Sequence, residues 1–147
     1  MRLTISINTH GWSGLLLILV TAAAAPADAP DDAKALQGNW TAVNTELAGA
    51  AVAWTVTLEI DGDNYEVLAN GLPDKGTCKI DAAARPGRLT ITGGKDGPNG
   101  GKTFLAIYEI DGDTLRVCYD LSGKMHPTAF ATQQGTPLYL VTYQRKK

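Results

Sequence analysis

Histidine, cysteine and serine are scarce in this 147-residue chain, and each scarcity closes off a kind of chemistry. The histidines are His10 and His126, and the cysteines are Cys78 and Cys118. A zinc site wants three or four His, Cys or carboxylate ligands, which this set does not supply. Basic charge is also short: Lys and Arg total 13 against 15 Asp and Glu, for a net charge of −2. A nucleic-acid binder needs a basic field to exchange counterions with phosphates, so that partner is not expected. The one basic cluster, Arg145-Lys146-Lys147, reads as a solvated tail. Long apolar runs are missing too. The longest, from Leu15 to Ala25, falls below the ~20 residues of a membrane-spanning helix.

That short run has the layout of a secretory signal: Arg2 before it, small residues after it, and an A-x-A site at Ala25-Pro26-Ala27. Cleavage before Asp28 is expected, with a cut after Ala24 as the competitor. Residues 1–27 thus read as a signal peptide, and 28–147 as one domain, expected to be secreted or periplasmic. No cysteine directly follows the run to carry a lipid anchor. The mature domain stays mildly acidic and is long enough to bury roughly two-thirds of its unfolded surface.

An oxidising compartment permits a disulfide. Alternation opposes one, since Cys78 shares a face with Ile80 whereas Cys118 sits with Arg116, opposite Leu115 and Val117. Either a bulge resets the register and the cysteines pair, or they remain two separate half-buried thiols.

What the chain has in abundance is period-2 alternation. Asp31 to Leu36 predicts one or two helical turns that Gly38 stops. Beyond them, Trp54-Thr55-Val56-Thr57-Leu58-Glu59-Ile60 alternates apolar with polar, as do Arg88 to Thr92 and Leu115 to Tyr119. Asp61-Gly62 and Asp111-Gly112 predict hairpins with type I′ turns. About nine short strands follow, at 39–46, 54–60, 64–69, 77–81, 88–92, 103–110, 114–120, 127–132 and 138–144. The fold class is all-β: a small antiparallel up-and-down barrel of about eight or nine strands with a short N-terminal helix. Closure removes exposed edges.

The expected interior comprises Trp54, Val56, Leu58, Ile60, Tyr65, Val67, Ile80, Leu89, Ile91, Phe104, Tyr108, Ile110, Leu115, Val117 and Tyr119. On the last strand, Leu138/Leu140 and Tyr139/Val141/Tyr143 are equally good inward faces. Strand 103–110 is apolar on both faces, so something covers its outer side; the N-terminal helix is the expected cover.

Gly38-Asn39-Trp40 resembles the G-x-W signature that lipocalins and other calycins carry on their first strand. The resemblance implies a basic residue from the last strand over that Trp, closing the barrel floor, and Arg145 is placed to do it. Together with Leu36-Gln37-Gly38-Asn39-Trp40, the segments from Ala106 to Tyr119 and from His126 to Phe130 resemble an uncharacterised lipocalin-like domain of secreted planctomycete proteins. One departure stands before Pro127, where His126 replaces an expected Arg. The resemblance implies the fold and brings no established activity.

Candidate chemistry is thin. Ser122, His126 and Asp120 make a nucleophilic trio on paper, all on one loop without a scaffold or an oxyanion hole. Asp61 and Asp63 fail the EF-hand pattern, because Tyr65 and Glu66 fall where a ligand and a Gly are needed. The Gly93 to Thr103 segment lacks the first Gly of a P-loop, where Asp96 stands, and it leads into a strand. It reads as a long mobile hairpin loop. No enzyme, cofactor or metal is expected. The chain is expected to be a binding module whose barrel holds a small apolar or amphipathic ligand against Trp54, Tyr65, Phe104, Tyr108 and Tyr119. The alternative is an interaction or inhibitor domain with a filled core, meeting a secreted protein partner through loops 93–102 and 120–127.

Overall fold

A computed structural model describes residues 29–147, and the leader read in residues 1–27 lies outside the described residues. Helix α1 (Ala29–Ala35) is followed by nine strands. These are β1 (Gly38–Leu47), β2 (Ala50–Ala51), β3 (Val56–Asp61), β4 (Asn64–Ala69), β5 (Leu72–Asp81), β6 (Gly87–Gly93), β7 (Thr103–Asp111), β8 (Thr114–Asp120) and β9 (Leu138–Arg145). Every pairing between named strands is antiparallel, and each strand from β3 to β9 pairs with the next in sequence. Strand β1 closes the ring, facing β3 over Gly38 to Thr41 and β9 over Trp40 to Leu47. The result is an eight-stranded barrel, with β2 as an extra two-residue strand paired to the end of β1. A bulge at Val43 re-aims β1 where it passes from β3 to β9.

The hairpins form where the turn residues predict them, one residue later than expected. Asp61 pairs with Asn64 and Asp111 with Thr114, so the two-residue loops are Gly62-Asp63 and Gly112-Asp113. Only the glycine of each has positive φ, at 60° and 58°. That is the type II′ arrangement, with Gly first, rather than type I′. The type I′ turns lie elsewhere, at Ala48-Gly49 and Asn70-Gly71, where both residues have positive φ. Asn70-Gly71 lets β5 begin at Leu72, five residues before the expected start.

Alternation places the core as read. Val56, Leu58 and Ile60 are buried while Thr57 and Glu59 are exposed. All the expected interior residues belong to the core or pack against it, except Trp54. Trp54 precedes β3 and is 38% exposed. On β9 the buried face is Tyr139, Val141 and Tyr143, which settles the open choice.

The expected strand at 127–132 is absent. Strand β8 already bonds β7 on one side and β9 on the other, so the closed ring offers no free edge to another strand. Residues 126–131 instead lie against the outer face of β7 and β8. Arg116 donates to the Phe130 carbonyl and stacks on its ring at 5.0 Å, the Cys118 thiol faces the Ala131 carbonyl, and His126 Nδ1 lies 3.0 Å from the Ala106 carbonyl oxygen. This segment, not α1, is the cover that the apolar outer face of β7 required; Ile107 and Cys118 are fully buried there.

Cys78 points into the barrel and Cys118 away from it, and both are free and buried. Opposite faces of the wall separate them, as the alternation implied. Burial pushes the Cys78 thiol up to about 11, with the Asp63 carboxylate adding to it, so the thiolate that reacts is scarce at neutral pH.

Candidate ligand-binding site

The barrel has a floor, a wall and a mouth. The floor is built by the chain's two ends. Leu36, just after α1, is fully buried, and its carbonyl accepts a 3.0 Å hydrogen bond from Trp40 Nε1. The Arg145 guanidinium lies 4.2 Å from the Trp40 ring centroid and donates to the carbonyls of Ala35 and Gln37. One arginine thus stacks on the indole and satisfies carbonyls left open at the helix C-terminus. Gly38, at φ 113°, is where the backbone turns under that guanidinium, and an added Cβ would meet it at 3.3 Å. The expected floor residues Gly38, Trp40 and Arg145 therefore stand together.

Tyr108 belongs to this floor. Its hydroxyl donates to Asp32 on α1 at 3.1 Å, and its ring lies over Gly87, where a Cβ would come within 2.4 Å. Burial, then the Asp32 carboxylate, push the phenol well above its ordinary range. Tyr108→Phe is expected to cost about 1 kcal/mol, the net worth of one hydrogen bond. A lower urea midpoint at unchanged slope would show it.

Above the floor a cavity of about 690 Å³ opens toward the other end. This lies within the roughly 300–1,000 Å³ of small-molecule sites. Its walls are Val56, Leu58, Ile60, Leu89 and Ile91, and its upper part carries Tyr65, Phe104, Tyr119, Tyr139 and Trp54. Four of the five residues expected to line the interior, Trp54, Tyr65, Phe104 and Tyr119, border it. Tyr108 does not, because its place in the floor puts it beneath the cavity. Trp54 stands at the rim, with its ring centroid 5.3 Å from that of Tyr139, which in turn stacks on Tyr119 at 5.8 Å.

Polar groups are few. The Tyr119 and Tyr143 hydroxyls share a hydrogen bond of 3.2 Å, and burial raises both phenols far above their ordinary range. Burial lifts Tyr139 to about 12, and its hydroxyl is buried without a partner. Asp74 is the one acid in the wall. Its Oδ2 accepts from the Tyr65 hydroxyl at 2.9 Å and from Asn99 at 2.8 Å, while Oδ1 is buried and unpartnered. Asp74 lies outside the strand expected at 77–81, because β5 reaches back to Leu72. The Asn70-Gly71 turn was the available signal: once β5 reaches back to Leu72, Asp74 shares the inward parity of Cys78 and Ile80.

The glycine-rich segment is folded rather than free. Gly94 N–H donates to Lys75, Gly97 to Gly94, Gly100 to Gly97 and Lys102 to Asn99. A Cβ on Gly93 would fall 1.9 Å from the Asn99 carbonyl oxygen, so only glycine allows this packing. Through Asn99 and Lys102 the segment borders the mouth.

Other candidate chemistry does not assemble. Ser122 donates to Asp120 at 2.6 Å, but His126 faces the Ala106 carbonyl, and no hydrogen bond joins Ser122 to His126 among the described residues. No group of three or more His, Cys, Asp or Glu is poised for a metal ion among the described residues, and none of their helices is long and apolar enough to cross a membrane. A groove of about 680 Å³ lies on the outer face of β3–β5, bordered by Glu59, Glu66, Lys75 and Lys95. Those charged side chains are exposed, and water satisfies them better than a ligand that must displace it. The interior cavity is therefore the candidate site. Comparison with protein-family models, with curated proteins and with solved structures finds no match to this chain.

Proposed function

We propose that this chain is an extracytoplasmic binding module that carries a small apolar or amphipathic molecule in its barrel and performs no covalent chemistry. The observation that carries the reading is the cavity of about 690 Å³, walled by aliphatic and aromatic side chains and stopped at one end by Leu36, Trp40 and Arg145. A β-barrel is compatible with such a role, and burying an apolar ligand there gains roughly 25 cal/mol per Å² of surface removed from water. The floor geometry supports kinship with lipocalin-like barrels. The apolar run and A-x-A site before Asp28 support export.

Native mass spectrometry of the full chain, expressed in an exporting bacterial host, tests the reading. The expected spectrum shows a chain beginning at Asp28 with a small-molecule adduct that denaturation removes. A bare protein, unchanged after incubation with lipid and small-molecule extracts, would overturn it and turn attention to protein partners.

A further inference from the structure

The charged residues bordering the barrel cavity are two, Asp74 and Lys102, and they are placed very differently. Lys102 is exposed on the rim, where its ammonium stays hydrated and salt screens it within about 8 Å. Asp74 lies on the inward face of β5, opposite Val67, partly buried. Its hydrogen-bond partners, Tyr65 and Asn99, are neutral, and none of the ion pairs among the described residues includes it. Oδ1 takes no hydrogen bond and faces Gly97, where even a Cβ would come within 2.9 Å. A carboxylate in an apolar wall without a counter-cation sets a negative potential over the space in front of it. An opposite charge nearby then gains several times what it would in water.

The aromatic rim has the same sign. Trp54, Tyr139 and Tyr119 form a continuous row of rings, and the faces of aromatic rings attract cations. Burial keeps the Tyr119 and Tyr139 phenols neutral, so the row adds no ionised oxygen.

We infer that the carried ligand is an amphipathic organic cation: its ammonium group sits in the upper cavity between Asp74 and the Trp54–Tyr139–Tyr119 rings, and its apolar body extends down among Val56, Leu58 and Ile91. The inference rests on the barrel being a ligand carrier, and it adds the sign of the head group. An alkyl carboxylate of the same length meets Asp74 as a like charge and is disfavoured.

Isothermal titration calorimetry of the full chain with decylamine, decyltrimethylammonium, 1-decanol and decanoate, each below its micellar concentration or solubility limit, separates the possibilities. Both cations are expected to bind about tenfold or more tightly than decanoate, with decanol between them. Asp74→Asn is expected to remove most of that preference while sparing decanol. If Asp74→Asn does not fold, as judged by circular dichroism, Trp54→Ala takes its place, since Trp54 is a rim position, 38% exposed. A loss of cation affinity of about fivefold in Trp54→Ala supports the inference, and an unchanged cation-to-decanoate ratio in whichever variant is used overturns it. Decanoate binding as tightly as decylamine also overturns it while leaving the carrier reading intact. Binding of none of the four probes overturns both.

Discussion

Trp40→Ala is expected to remove about 3–5 kcal/mol of folding stability, a large share of the roughly 5–15 kcal/mol that holds an ordinary domain. The indole is 1% exposed and acts at three places at once. It fills the space beneath the cavity, donates from Nε1 to Leu36, and presents its face to Arg145. Truncation leaves a void, a buried carbonyl without its donor, and a guanidinium stacked on nothing. Trp40→Phe keeps a ring face but loses the donor, so it should fall well short of the full loss. Urea unfolding of the three proteins measures the differences directly. A Trp40→Ala variant within 1 kcal/mol of the parent would mean that the floor contributes little to the fold.

Asp120→Asn is expected to cost about 2–4 kcal/mol and to loosen the segment that follows β8. Asp120 is 3% exposed and ends its strand by accepting four hydrogen bonds. Oδ1 takes the N–H and hydroxyl of Ser122, and Oδ2 takes the N–H groups of Lys124 and Met125. An amide has only one oxygen, so whichever way it is turned, its NH2 confronts two donors. The carboxylate also sets an acid limit. Burial by itself would raise its pKa, but the donors, led by the Ser122 hydroxyl, outweigh burial and hold it below the ordinary value. A depressed folded-state pKa stabilises the protein above the unfolded value near 3.9, and that stabilisation fades as pH falls through the folded value. The stability gap between parent and Asp120→Asn should therefore be widest near neutrality and narrow below about pH 4. Denaturation midpoints against pH read this out, and limited proteolysis within 121–126 reports the loosening. A gap that stays constant to pH 2 would show that the carboxylate's charge plays no part.

Much of the barrel was legible because it rests on local signals. Val56, Leu58 and Ile60 announce a half-buried strand by parity alone, and a glycine between alternating strands announces a turn even when its type is misread. What was hidden depends on partners distant in sequence. Thr128 to Thr132 resemble a strand in composition, and only the completed ring, in which β8 has no free edge, shows why they do not pair. The inward face of β9 was undecidable until the pairing of Val141 with Val117 and of Tyr143 with Leu115 set the register. Tyr108 has the right parity for the interior, but depth along the barrel is not written in parity, and Asp32 holds it in the floor. Asp74 illustrates the same limit: its burial depends on the fold of Gly94 to Gly101, which no alternation announces.

The pairing of β1 with β9 has a consequence for how the molecule is made. Arg145 bonds Ala35 and Gln37 across 110 and 108 residues, so the contacts that finish the fold are among the most distant in the chain. During synthesis, seven strands of the ring emerge before the eighth exists to close it. Until then β1 and β8 each present a bare row of N–H and C=O groups, the geometry that invites pairing with another chain. That interval lasts as long as synthesis takes to deliver β9, at about 5–20 residues per second. A chain threaded unfolded through a membrane would meet the same exposure on the far side, and the order in which its strands arrive would then decide between closure and aggregation.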